Sequence, residues 1–154
     1  MKKNMLRKRD SIITGVFVLF AVSSMIFGIY FLKKSHPDNM TAIIGGEEFS
    51  LEIARTPQEK ARGLSGRKEL CDSCGMLFLF ENSGKYGFWM KEMQFPLDIF
   101  WLRNGIVVHS VRNAEHTDQK TIYEPDVATD AVLEVNAGIA EKYGITVGAK
   151  IIIE

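Results

Sequence analysis

The chain has 154 residues, 46% of them hydrophobic, and its 19 basic and 19 acidic side chains cancel. The cancellation hides a split, because residues 1–35 hold seven Lys/Arg against the single acid Asp10, a net +6 that leaves the remainder at −6. One domain's length is available, and its acidic surface disfavours binding to a phosphate backbone, so no nucleic-acid partner is expected.

Residues 1–10 form a basic tail. They are followed by "SIITGVFVLFAVSSMIFGIYFL", Ser11 to Leu32, which carries no charge. As a helix these 22 residues would reach roughly 33 Å, enough to cross the hydrocarbon core of a bilayer. The apolar part of a cleaved signal peptide is shorter and ends at a small-x-small site, which "YFLKKSHPD" does not offer. An uncleaved transmembrane anchor over 11–32 is therefore expected. Five basic residues precede the span and two follow it. The positive-inside rule then puts the N-terminus in the cytoplasm and the rest outside, a single-pass protein of the cell membrane.

Residues 33–41, "KKSHPDNMT", read as a polar tether, and His36-Pro37-Asp38 argues against a helix continuing outward. The folded domain is expected over 42–154, long enough for one modest core. In "AIIGGEEFSLEIA" the Gly45-Gly46 pair separates two strand-like runs, a hairpin signal. "TPQEKARGL" is a helix start, with Thr56 as N-cap, Pro57 at the first position and Glu59 completing a capping box; Gly63 stops it. "GMLFLFE" reads as a buried strand and "YGFWM" as another. "LDIFWLRNGIVVHSV" is the clearest hairpin, turning at Asn104-Gly105. Asn113 to Asp130 has few apolar residues and reads as a long loop. "AVLEVNAG" is a strand leading into a short helix over Ala137 to Tyr143, capped by Gly144. "AKIIIE" is the last strand. The predicted fold is mainly β (α+β): a compact antiparallel sheet or barrel-like domain with two short helices.

Taken in order, Gly63-Leu64 with Arg67, then Gly75 to Phe78, Trp89 to Lys91, Pro96 to Asp98, and Val132 to Glu134 form a series that resembles the domain of unknown function 192 (DUF192) family. The likeness covers roughly Leu51 to Ile153. It implies a small, largely β domain and no particular activity. Two features depart from the family pattern. Glu92-Met93 stands where the family usually has Asn-Thr, and the cysteine pair falls in a loop that looks variable.

Cys71 and Cys74, in "LCDSCGMLF", are the only cysteines. A thioredoxin-like pair would open a helix, but a strand pattern follows Cys74. A zinc site needs about four ligands, and adding His109 and His116 gives no recognised spacing. A loop-closing disulfide needs only the oxidising side of the membrane, so a structural Cys71–Cys74 disulfide is the favoured reading. Met76, Met90 and Met93 form no Cu(I)-type array and fit core positions better. No metal or cofactor is expected.

Charged residues interrupt apolar stretches at Lys91, Asp98 and Glu134, and Arg67 follows a glycine loop. Alternation along a strand can place such residues in water. The functional alternative is a ligand-binding site in which Arg67, Lys91 and Asp98, with Glu134 as a further candidate, converge beside Trp89. A Lys91–Asp98 pair would leave Arg67 free for a small polar or anionic ligand. No Ser-His-Asp pattern, phosphate loop or helical His pair marks an enzyme. A binding or envelope accessory role is therefore favoured over catalysis. The alternative is a hydrolase-like or thiol-redox enzyme using the Trp89–Asp98 region or Cys71/Cys74. Oligomeric state is left open.

Overall fold

A computed structural model of the chain describes residues 40–154. The predicted basic tail and span, and all but the last two residues of the tether, lie outside the described residues. Among the described residues no helix is long and apolar enough to cross a membrane.

Seven strands and two short helices follow one another as β1 (Met40–Ile44), β2 (Glu47–Ala54), α1 (Pro57–Arg62), β3 (Cys74–Gly84), β4 (Leu97–Arg103), β5 (Ile106–Ala114), β6 (Thr129–Asn136), α2 (Ile139–Lys142) and β7 (Ile152–Ile153). The strands form one sheet in the order β5-β4-β6-β3-β2-β1-β7. This curled half-barrel is mainly β with two short helices, as expected, but it is not wholly antiparallel. Strands β2 and β3 run parallel, with Leu51 opposite Gly75 and Ile53 opposite Leu77. Parallel neighbours need a long crossover connection, and the segment 55–73 containing α1 supplies it.

Local sequence accounts for most boundaries. Gly45 and Gly46 turn β1 into β2 with φ of 60° and 90°. A Cβ on Gly45 would lie 2.5 Å from Tyr143, so glycine is required there on two counts. Helix α1 has the expected capping box: the Glu59 amide donates to Thr56 Oγ1 at 3.2 Å and the Thr56 amide donates to Glu59 Oε2 at 2.9 Å. Asn104 and Gly105 both have positive φ at the β4–β5 turn.

Several expectations need correction. β1 begins at Met40, two residues before the expected domain boundary. "YGFWM" is not a strand: Phe88 alone forms an isolated bridge, with Tyr123, and the Tyr86 carbonyl accepts from the Trp101 side chain instead of from a neighbouring strand. The last strand is only two residues long. The chain before it bonds elsewhere, with Val107 N–H donating to Ala149 O and Ile151 N–H to Gly105 O. The C-terminal segment thus joins β5, at one end of the strand order, to β1, next to the other end.

Two apolar clusters cover the two faces of the sheet. One holds Phe49, Leu51, Leu77, Phe100, Leu102, Leu133 and Val135 with Ile139 and Ala140 of α2. The other holds Met76, Phe78, Leu97, Ile99, Trp101 and Val132, with Leu64, Met90 and Met93 from the loops. Strand β4 is buried on both sides from Leu97 to Leu102, which explains its near-continuous apolar run. Its even-numbered side chains face the first cluster and its odd-numbered ones the second.

Candidate functional site

Three polar or charged side chains are buried among the described residues: Asp98, Thr129 and Glu134. Buried polar groups normally find hydrogen-bond partners. Thr129 Oγ1 donates to Gly84 O at 3.1 Å. Asp98 accepts from the Asn113 amide at 2.8 Å and from the Ala140 amide at 2.7 Å. Glu134, only 5% exposed, has no hydrogen-bond partner among the described residues.

The reason is its place in the sheet. Glu134 lies between Met76 of β3 and Ile99 of β4 in register, and neither can donate. Burial pushes its carboxyl from an ordinary value of 4.5 up to about 8. The side chain is at the bottom of a cavity of about 280 Å³ on the face of the second cluster. Leu64, Phe78, Phe88 and Met93 wall it, Tyr86 and Trp89 flank it, and Lys60 and Arg62 of α1 also line it. Gly63, at φ 50°, crosses above the carboxylate; a Cβ there would come within 3.3 Å of Phe78 and 3.9 Å of Glu134 Oε2.

The walls are built from aromatic rings packed edge to face. The Phe88 ring meets Phe78 edge-on at 4.8 Å and Trp101 at 5.8 Å. Trp101 Nε1 donates to Tyr86 O at 2.7 Å, and Phe88 exchanges both backbone hydrogen bonds with Tyr123 at 2.8 Å. These contacts pin the 86–89 segment beside the cavity. Opposite it, the Gly66 amide donates to Glu92 O and Ser65 Oγ donates to Lys91 O, both at 2.9 Å. Beyond Trp89 a second hollow of about 350 Å³ is lined by Arg62, Ser65, Lys91 and Glu92; it shares Ala61, Arg62, Ser65 and Trp89 with the first.

The four residues expected to converge therefore separate. Trp89, half exposed, and Lys91 do lie at the hollows. Arg67 is engaged in a bidentate pair with Glu52 at 2.5 and 2.7 Å and lines neither cavity. That pair raises the Arg67 pKa and lowers that of Glu52, mainly through the side-chain hydrogen bonds. Asp98 is on the opposite face of the sheet, sharing parity with Phe100 and Leu102, where it ties Asn113 and α2 to β4. The expected Lys91–Asp98 pair does not form, since one partner is solvent-exposed and the other buried on the far side. Glu134, only a further candidate by sequence, occupies the centre. Sequence reasoning missed Lys60, Arg62, Phe78 and Phe88, because a helix, a glycine loop and two separate strand-like runs meet only in three dimensions.

Cys71 and Cys74 are joined in a disulfide with Cα atoms 5.1 Å apart, and neither lines either of these two hollows. Asn136 Nδ2 donates to the carbonyls of Leu70 and Cys71 at 3.1 and 3.0 Å, fixing this loop to the end of β6. No group of three His, Cys, Asp or Glu side chains among the described residues could hold a metal ion.

The DUF192 family model, "Uncharacterized ACR", matches residues 40–153. The chain belongs to the DUF192 family. No curated protein matches it. Two solved structures share the fold of this DUF192 domain. A protein of unknown function from Novosphingobium aromaticivorans is 36% identical, with a TM-score of 0.68 over 76% of this chain and 89% of that one. A protein from Sinorhizobium meliloti, provisionally described as a transcription regulator, is 25% identical, with a TM-score of 0.68 over 74% of this chain and 91% of that one. The family's Gly-Leu, Gly-Met-Leu-Phe, Trp-Met-Lys and Val-Leu-Glu elements supply Gly63, Leu64, Phe78, Trp89 and Glu134 to the one cavity.

Proposed function

We propose that this DUF192 protein is a membrane-anchored accessory module whose extracytoplasmic domain binds a small ligand in the cavity over Glu134. One observation carries the binding role. The Glu134 carboxyl, on a residue only 5% exposed and without a hydrogen-bond partner among the described residues, opens onto a mostly apolar cavity, while Asp98 and Thr129 are satisfied. A ligand that hydrogen-bonds to it supplies the partner that the surrounding side chains do not. Concave, largely apolar sites with few polar groups are the usual form of small-molecule sites. What supports the anchor is the charge step across Ser11–Leu32.

Ala61, exposed on α1, lines both hollows, so Ala61→Trp should plug the entrance without entering the core. The full chain purified from its own membranes should retain a small molecule in native mass spectrometry, and A61W should lose it. If nothing is retained, and no member of a fragment library shifts the Met93 methyl resonance, the binding role is wrong. For the anchor, protease added to spheroplasts should digest the domain; a domain left intact until the inner membrane is opened would reverse the topology.

A further inference from the structure

We infer that the ligand is a small zwitterion. Its ammonium group sits against Glu134, its apolar or aromatic middle lies against the wall formed by the packed Phe78 and Phe88 rings, and its anionic group meets Lys60 and Arg62. The inference rests on the cavity-binding role proposed above and adds the class of ligand.

Three features select this class. First, the deep group is an acid with no donor around it: Met76 and Ile99 flank it in the sheet, and Phe78 and Gly63 cover it. A ligand carboxylate placed there could share only the acid's single proton, one hydrogen bond between two acids. An ammonium supplies three donors and the opposite charge. Second, the walls are aromatic, and aromatic faces attract cations. A ring at the cavity already does so, since Lys60 Nζ lies 4.6 Å from the centre of the Phe80 ring. Third, the cations are segregated from the acid. Lys60, half-buried, and Arg62, exposed, belong to α1, and Lys91 lines the adjoining hollow. They leave one place for an anionic group, at the mouth.

The binding step is a proton exchange that balances without any further reactant. In the empty cavity at neutral pH, burial keeps the Glu134 carboxyl protonated. When the ammonium enters, the O–H bond breaks, the proton leaves to solvent, and a carboxylate–ammonium ion pair remains. Affinity should therefore rise about tenfold per pH unit below about 8 and level off above it. A ligand that only hydrogen-bonds the neutral acid would bind equally well below about 8 and lose affinity above it. Other titratable or charged groups on this face are Lys60, Arg62 and Tyr86 around the cavity, the Arg67–Glu52 pair on the β2 side, and His109 packed edge-on against Trp101 on the β5 side.

The test uses the full chain in detergent micelles, with the Met93 methyl resonance as reporter. The probes are 4-(aminomethyl)benzoate, benzylamine without the anion, and 4-methylbenzoate without the ammonium. The zwitterion should bind more tightly than either truncated probe, and its Kd should fall about tenfold from pH 6 to pH 7. Glu134→Gln should weaken it and flatten the pH slope, whereas His109→Gln should leave the slope in place. Equal or tighter binding of 4-methylbenzoate, or a zwitterion affinity that does not change with pH, would overturn the ligand class while leaving the cavity as a site. If none of the three probes moves Met93, the zwitterion inference falls. The retained-ligand comparison with A61W then decides the binding role separately.

Discussion

Replacing Glu134 with Gln removes one ionisable group from the middle of the sheet with almost no change of shape, and its effect should depend on pH. Burial holds the folded carboxyl at about 8, against 4.5 ordinarily. Between those values the folded state binds a proton that the unfolded chain has lost, so rising pH favours unfolding. The destabilisation is absent below 4.5, grows through the neutral range and levels off above about 8. The full span corresponds to roughly 5 kcal/mol, of which about 3 kcal/mol falls between pH 5.5 and pH 9. E134Q carries no such dependence. Denaturant unfolding of the full chain in mild detergent, followed by Trp fluorescence, should show similar stabilities for the two proteins near pH 5. The variant should be the more stable by several kcal/mol at pH 9. A difference that stays constant across this range would mean that Glu134 is hydrated or partnered, and the site would lose its central feature.

Asp98→Ala should cost about 2–4 kcal/mol, because it strands the buried Ala140 amide and the part-buried Asn113 amide, and it should speed hydrogen exchange at Ala140. Arg67→Ala should cost under about 1 kcal/mol despite the bidentate geometry, since both side chains are substantially exposed and screened. Whatever Glu52 contributes should be present above its ordinary value of 4.5 and disappear on acidification, as the pair depresses its pKa; a thermal melt at two salt concentrations and two pH values checks both points. Replacing Cys71 and Cys74 with serine closes no cavity and opens only a very short loop. A loss of at most about 1–2 kcal/mol is expected, with ligand binding unchanged by the methyl reporter. Glu92 has φ 58°, a conformation in which Asn is far better tolerated. Glu92→Asn should therefore raise stability by roughly 0.5 kcal/mol, and a lower melting temperature would contradict the strain assigned to that turn.

Features set by contacts between near neighbours in the chain were legible in the sequence. The Gly45-Gly46 and Asn104-Gly105 turns and the Thr56–Glu59 capping box depend on local dihedrals and on hydrogen bonds spanning a few residues. The succession of short strand and turn signals along the domain indicated the mainly β architecture, and the family resemblance implied the same. What tertiary structure decided was the side of the sheet on which each charge lies and what packs there. Asp98 and Glu134 look alike by sequence, each a single acid inside an apolar strand. Their parity on adjacent strands puts them on opposite faces. One meets the amides of Asn113 and Ala140; the other meets only Met76 and Ile99. A strand's own residues specify that its side chains alternate, but not which face will carry a donor. That choice depends on register with strands far away in the chain and on the loops laid over them. The cavity follows from the same cause, since α1, the Gly63 turn and the 86–89 segment come together over β6 only after the parallel crossover from β2 to β3 has been made.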